Sequence, residues 1–144
     1  IYVALGQGAK AVPGEQKGRA NKNRDINQVT NNQTRFNLNE DMIQADFALN
    51  IEGRSIEWTL RAIQAMEQTR TPAYLKDITV PVFIGVADDD LLVRSQASLD
   101  VVEYLADGEA KLYSPAKHEL FMEVPNIRNQ FIADVDAYFD RHMN

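Results

Sequence analysis

The chain has 144 residues, no cysteine, and 15 Lys and Arg against 21 Asp and Glu, a formal net charge of −6. That length supports one modest domain with a core, the missing thiols exclude disulfide and thiolate chemistry, and the acidic balance argues against a nucleic-acid surface as the main activity. No signal-peptide pattern opens the sequence and no apolar run approaches the ~20 residues that cross a bilayer, so the expected location is cytoplasmic. A start at Ile1 rather than Met fits a piece of a longer polypeptide.

The first 25 residues hold Lys10, Lys17, Arg19, Lys22 and Arg24 against Glu15 and Asp25, net +3, which leaves −9 for the rest. Such an arm reads as a solvated loop, with peripheral contact to an anionic membrane surface as the functional alternative. Residues 16–39 are rich in Asn, Gln, Lys and Arg without periodicity, which predicts loop or a very short helix. Met42, Ile43, Ala45 and Phe47 support a short helix within 41–49. The region 55–70 is clearer. Ile56, Leu60, Ile63 and Met66 form one helical stripe, Glu57 and Arg61 an i,i+4 pair, and Ser55 an N-cap. Thr71, Pro72 and Lys76-Asp77 mark the exit.

Val80, Val82, Phe83, Ile84 and Val86 form a run interrupted by Pro81 and Gly85, as expected of a strand buried on both faces. Asp88, Asp89 and Asp90 follow. Leu99, Val102, Leu105 and Ala106 then predict a helix over 96–106, with Gly108 as its left-handed cap, and 110–113 fits a short second strand. His118 comes just after that strand. Pro125 opens a last helix in which Ile127, Phe131, Val135 and Tyr138 recur on one side, with Asp134, Asp136 and Asp140 on a solvated face. His142, near the C-terminus, reads as inert.

Strand, helix and strand within about 35 residues make a βαβ unit, whose crossover is right-handed and whose strands are parallel. Both loops then leave from one edge, where sites on open α/β sheets form. The three aspartates and His118 are thereby brought to neighbouring strand ends. A carboxylate that accepts a hydrogen bond from one imidazole nitrogen leaves the other nitrogen free as a base. An ordinary surface histidine is the alternative for His118, and which of the three aspartates would face it stays open at this level.

Other motifs are scarce. GQGAKA lacks the third glycine of a dinucleotide fingerprint, and no phosphate loop or zinc-ligand spacing occurs. Glu119 and Glu123 beside His118 fit a surface pair better than a metal set. Neither metal nor cofactor is expected.

GVADDDLLV followed by SPAKHELFMEVPNIRNQFIADVDAYFDRH resembles the last third of an α/β-hydrolase, in the branch of bacterial lysophospholipases and monoacylglycerol lipases. IEGRSIEWTLRAIQAMEQ resembles a cap helix of that branch, and YVALGQGAK the entry to the cap. The resemblance implies an α/β fold: the C-terminal βαβα part of a hydrolase sheet over 77–144, preceded by a loop-rich helical cap over 1–76. It implies Asp89, followed by Leu91 and Leu92, as triad acid and His118 as base, with Glu119 and Glu123 completing the pattern. Trp58 on the cap helix would either pack or line an acyl pocket. The implied activity is carboxylic ester hydrolysis on a small-molecule or lipid ester, without a cofactor.

That family places its nucleophile in a G-x-S-x-G elbow ahead of the acid. The serines here are Ser55, Ser95, Ser98 and Ser114, and Gly53-Arg54-Ser55-Ile56-Glu57 lacks the last glycine and a preceding strand. The expectation is therefore a fragment, inactive alone, whose partner is the remainder of its parent chain or another copy of itself. Two other readings compete: a receiver-like domain holding Mg²⁺ between paired acids, and a noncatalytic binding fragment.

Overall fold

The structure, a computed structural model, describes residues 2–13, 27–49 and 53–143. Lys17, Arg19, Lys22 and Arg24 of the basic arm lie outside the described residues. The elements in chain order are α1 (Gln33–Ala45), a 3-10 turn (Phe47–Leu49), α2 (Ile56–Gln68), α3 (Pro72–Lys76), β1 (Val82–Ala87), α4 (Ser95–Val102), β2 (Gly108–Tyr113), a 3-10 turn (Leu120–Met122) and α5 (Pro125–His142). Among the described residues no helix is long and apolar enough to cross a membrane.

Of the 16–39 span expected to be loop or a very short helix, residues 16–26 lie outside the described residues, and from Gln33 the chain instead forms the 13-residue α1. Its polar composition hides it from a periodicity argument, but Asn32 caps it by accepting from the Arg35 N–H at 3.1 Å, and one face buries Phe36 and Glu40. The clearer helix, α2, forms as expected. Ser55 Oγ accepts from Trp58 N–H at 3.1 Å, while the carbonyls of Lys10 and Gly8 take the N–H groups of Ile56 and Glu57, both at 2.9 Å. The free donors of the first turn are thus satisfied by the cap and by the antiparallel 8–12 segment. No residue of α2 is buried, and Leu60, Ile63 and Met66 remain exposed.

β1 and β2 are parallel, in register from Val82 opposite Gly108 to Ala87 opposite Tyr113, and α4 supplies the crossover. Two differences from expectation have simple causes. β1 is buried only at Val86 and Ala87, because among the described residues it has one neighbouring strand. Gly108 begins β2 rather than capping α4. Its φ is not positive, and its missing Cβ makes room for Leu105, whose Cβ would lie 2.8 Å away.

α5 and the Leu120–Met122 turn cover one face of the pair. Ala87, Tyr113, Ala116, Leu120, Ile127 and Phe131 form the core, with Phe83, Val124 and Val135 packed against it. Phe131 stands edge-on to Tyr113, centroids 5.4 Å apart, and Asp134 reaches back to β2, where Lys111 Nζ (2.8 Å) and the Tyr113 hydroxyl (2.8 Å) donate to it. The expectation that Asp134 sits on a solvated face is corrected by that pairing. The Lys111 ammonium beside Asp134 holds its carboxyl below the usual range.

At Gly85 the side chain of Phe131 from α5 packs directly on β1. A Cβ there would lie 2.6 Å from Phe131 Cε2 and 2.8 Å from Leu120 Cδ1. Gly85→Ala is expected to overpack the core and lower stability by about 1–3 kcal/mol. A urea titration followed by tyrosine and tryptophan fluorescence would register this as a lower midpoint, and an unchanged midpoint would show that α5 is not held against β1 as described.

Candidate active site

The two strand ends are stitched together beyond the sheet. Asp88 N–H donates to Tyr113 O at 3.2 Å and Asp89 N–H to Ala116 O at 2.9 Å, while the Asp88 carboxylate accepts from Ala116 N–H at 2.9 Å. The Ser114 hydroxyl and the Ala116 amide hold the Asp88 carboxyl below its ordinary value. With Asp88 spent on the loop and the Asp89 side chain exposed, the carboxylate that turns inward is the third.

Asp90 meets His118. Its Oδ2 lies 2.8 Å from His118 Nδ1, and its Oδ1 accepts from the N–H groups of Leu92 (2.8 Å) and Val93 (3.1 Å). The Asp90 side chain is 6% exposed and the imidazole 34%. Burial pushes the Asp90 carboxyl up, but the His118 hydrogen bond and the two backbone donors outweigh it and the net direction is down. The expectation that Asp89 would be the residue nearest the imidazole is therefore corrected by one position. The physical reason is that Asp89 sits where its backbone N–H continues the bonding to the His118 loop, which turns its side chain to solvent. An Asx-type turn at Asp90 aims the next carboxylate across.

The His118 loop is fixed on both sides of the histidine. Lys117 N–H donates to Glu123 Oε1 at 3.0 Å, and Glu119 N–H to Val29 O at 2.7 Å. Glu123 is fully buried, not the surface residue expected, and also accepts from Asn31 N–H (2.8 Å) and Val124 N–H (2.9 Å). With both oxygens occupied by backbone donors, Glu123 does not fit a metal set with His118. Among the described residues no group of three or more His, Asp or Glu side chains converges as metal ligands would. A receiver-like pocket fits poorly too, since Asp88 and Asp90 are both committed to the loops.

The histidine is thus held by Nδ1 and no described residue hydrogen-bonds Nε2. Nδ1–H donated to a carboxylate gives the tautomer in which Nε2 accepts a proton, and the carboxylate stabilises the imidazolium that results. The other sequence candidates do not join the pair. Among the described residues the Trp58 side chain makes no hydrogen bond or ring contact, Ser55 caps α2, and Ser95 Oγ donates to Ala87 O. His142 stacks on Tyr138 with centroids 4.2 Å apart, and its Nδ1 lies 2.8 Å from Tyr138 O. The participation of Val29 and Asn31 was invisible in the sequence, because backbone donors and acceptors carry no residue signature.

A family model described as serine aminopeptidase, S33 (Hydrolase_4) matches residues 8–125. Among solved structures the chain is similar to a soluble variant of monoglyceride lipase from Saccharomyces cerevisiae, solved in complex with a substrate analog. The TM-score is 0.61 at 21% identity, over 80% of this chain and 41% of that one. No curated protein sequence matches. The likeness is one of fold, that of the α/β-hydrolases, and the chain spans about two fifths of the length of that lipase.

Two measurements check the pair. In chain labelled with ¹⁵N-histidine, the neutral His118 ring is expected to carry its proton on Nδ1; Asp90→Ala should shift it toward Nε2–H, and Asp89→Ala should leave it as it was. The opposite pattern would return the acid role to Asp89. The second concerns pH. Asp88 and Asp90 have folded pKa values depressed below 3.8, so their stabilisation is fully present above that value and is lost as pH falls through their folded midpoints. Urea midpoints from about pH 6 down to about pH 2 should fall in that window, and less steeply in Asp90→Ala.

Proposed function

The chain belongs to the serine aminopeptidase (S33) family of hydrolases, and from that premise we propose that Asp90 and His118 are the acid and base of a serine hydrolase triad acting on carboxylic esters. The observation that carries the proposal is the 2.8 Å contact between a buried carboxylate and a half-exposed imidazole at the carboxyl ends of two adjacent parallel strands. His118 Nε2 takes the proton of an attacking serine hydroxyl and passes it to the leaving alcohol, while Asp90 orients the ring and stabilises its charged form. Water then hydrolyses the acyl-serine, adding OH to the acyl carbon and returning H through His118 to the serine oxygen.

The serine itself and the amides that stabilise the oxyanion belong, in this proposal, to a strand–turn–helix segment outside these 144 residues. Two facts support that placement. Ser55 caps α2, Ser95 bonds Ala87 O, Ser114 bonds Asp88 and Ser98 lies within α4, and β1, which leads into the acid, is open on its far edge among the described residues. Monoacylglycerol and lysophospholipid are the favoured esters, in line with the fold likeness to a monoglyceride lipase. Residues 1–76 then act as a cap, whose α2 turns Leu60, Ile63 and Met66 outward where a lipid substrate or a membrane surface would pass. Trp58, on the same helix, is proposed as a substrate contact.

The test is an esterase assay on a polypeptide that includes the nucleophile segment, using p-nitrophenyl esters, a monoacylglycerol, a lysophospholipid and an aminoacyl p-nitroanilide. Ester turnover should fall about 10⁴-fold on Asp90→Asn and at least comparably on His118→Ala, with Asp89→Asn close to wild type. The 144-residue chain alone should show no turnover. Full ester activity in His118→Ala would remove the proposal, and turnover confined to the anilide would move the substrate class to peptides.

A further inference from the structure

The mechanism above needs His118 in one place, and the side chain best situated to keep it there is not in contact with the imidazole. Glu123 is 0% exposed and, among the described residues, its two carboxylate oxygens accept only backbone N–H groups, from Asn31, Lys117 and Val124. These donors come from three separate stretches: the segment before α1, the residue immediately preceding His118, and the start of α5. Among the described residues no side-chain cation pairs with it, and Lys117 Nζ goes instead to Asn27 O at 2.9 Å. A buried carboxylate is costly unless hydrogen bonds compensate it. Here the compensation comes entirely from amides whose positions Glu123 thereby defines.

The same junction is locked a second time. Thr30, also 0% exposed, donates its hydroxyl to Met122 O at 2.8 Å and accepts from Asn32 N–H at 2.9 Å, while Glu119 N–H donates to Val29 O at 2.7 Å. His118 is therefore flanked by Lys117, held through Glu123, and Glu119, held directly by residue 29. We propose that Glu123 is a positioning residue for His118, and that through it the 27–32 segment, about ninety residues earlier in the chain, determines whether the imidazole stays aligned on Asp90. The inference rests on the acid–base pair proposed above, but its test does not depend on catalysis.

The test uses the chain itself. Glu123→Gln is nearly isosteric and leaves one oxygen for Asn31 and Lys117, but its amide NH₂ faces the Val124 N–H. Glu123→Asp keeps the charge and shortens the reach, and Thr30→Val removes the second lock. In ¹⁵N-histidine-labelled protein the His118 Nδ1–H exchange rate with water should rise roughly tenfold or more in the folded molecules of each variant, and the Nδ1–H tautomer should lose population. Val135→Ala, which trims α5 packing on the core, provides a control that lowers stability and leaves the His118 signal alone.

If folded Glu123→Gln and Glu123→Asp both retain wild-type tautomer and exchange rate, with only the urea midpoint lowered, Glu123 is a stabilising residue and the positioning role is wrong. Failure of the functional proposal would look different. His118 would lose its alignment in the Glu123 variants as stated, while His118→Ala left ester hydrolysis in the longer polypeptide intact.

Discussion

Everything at this site depends on a parallel strand pair whose hydrogen bonding does not stop where the strands do. The β1–β2 register ends at Ala87 opposite Tyr113, and the next two amides, of Asp88 and Asp89, go on to bond Tyr113 O and Ala116 O. Beyond Ala87 the chain turns at Asp88 and Asp89, and with the amides of both committed to residues 113 and 116, Asp90 is the residue whose carboxylate reaches the neighbouring loop. Which aspartate meets His118 is in this sense a consequence of backbone bonding, decided before any property of the carboxylates is considered.

The site also shows how a small fold tolerates buried charge. Asp90 and Glu123 are both nearly or wholly removed from solvent, and each is surrounded by backbone amides rather than by lysine or arginine. Amides compensate desolvation without placing a competing cation beside the histidine. An Arg partner for Asp90 would occupy the oxygen that faces Nδ1. Backbone donors to Oδ1 leave Oδ2 available. The arrangement is fixed by tertiary structure at Glu123, where the donors span positions 31 to 124, and by local structure at Asp90, where they lie two and three residues on.

The apolar surface is distributed unevenly. Around Gly85, Phe131 and Leu120 the packing leaves no room for a methyl group, whereas α2 buries none of its residues and Val80 and Leu112 of the sheet region stay exposed. The packed side is the one that carries the His118 loop on α5 and the Leu120–Met122 turn. Packing is thus close where the acid–base pair is anchored, and the apolar stripe of α2 remains a surface.

Much of this was legible from residue types. The βαβ order, the parallel pairing, α2 with its Ser55 cap, α5 from Pro125 and the convergence of an acidic loop with His118 all follow from apolar periodicity, turn residues and the handedness of crossovers, because those signals are local. What tertiary structure alone decided was register and commitment. Asp88, Asp89 and Asp90 are chemically identical and adjacent, so only their backbone partners on another strand distinguish them. Helix α1 lacks an apolar stripe and exists through the Asn32 cap and two buried side chains, and Glu123 looks like any surface glutamate until the amides of Asn31 and Lys117 close over it. Periodicity records which side of an element is apolar, and it carries no record of which backbone N–H, ninety residues away, a given carboxylate will accept.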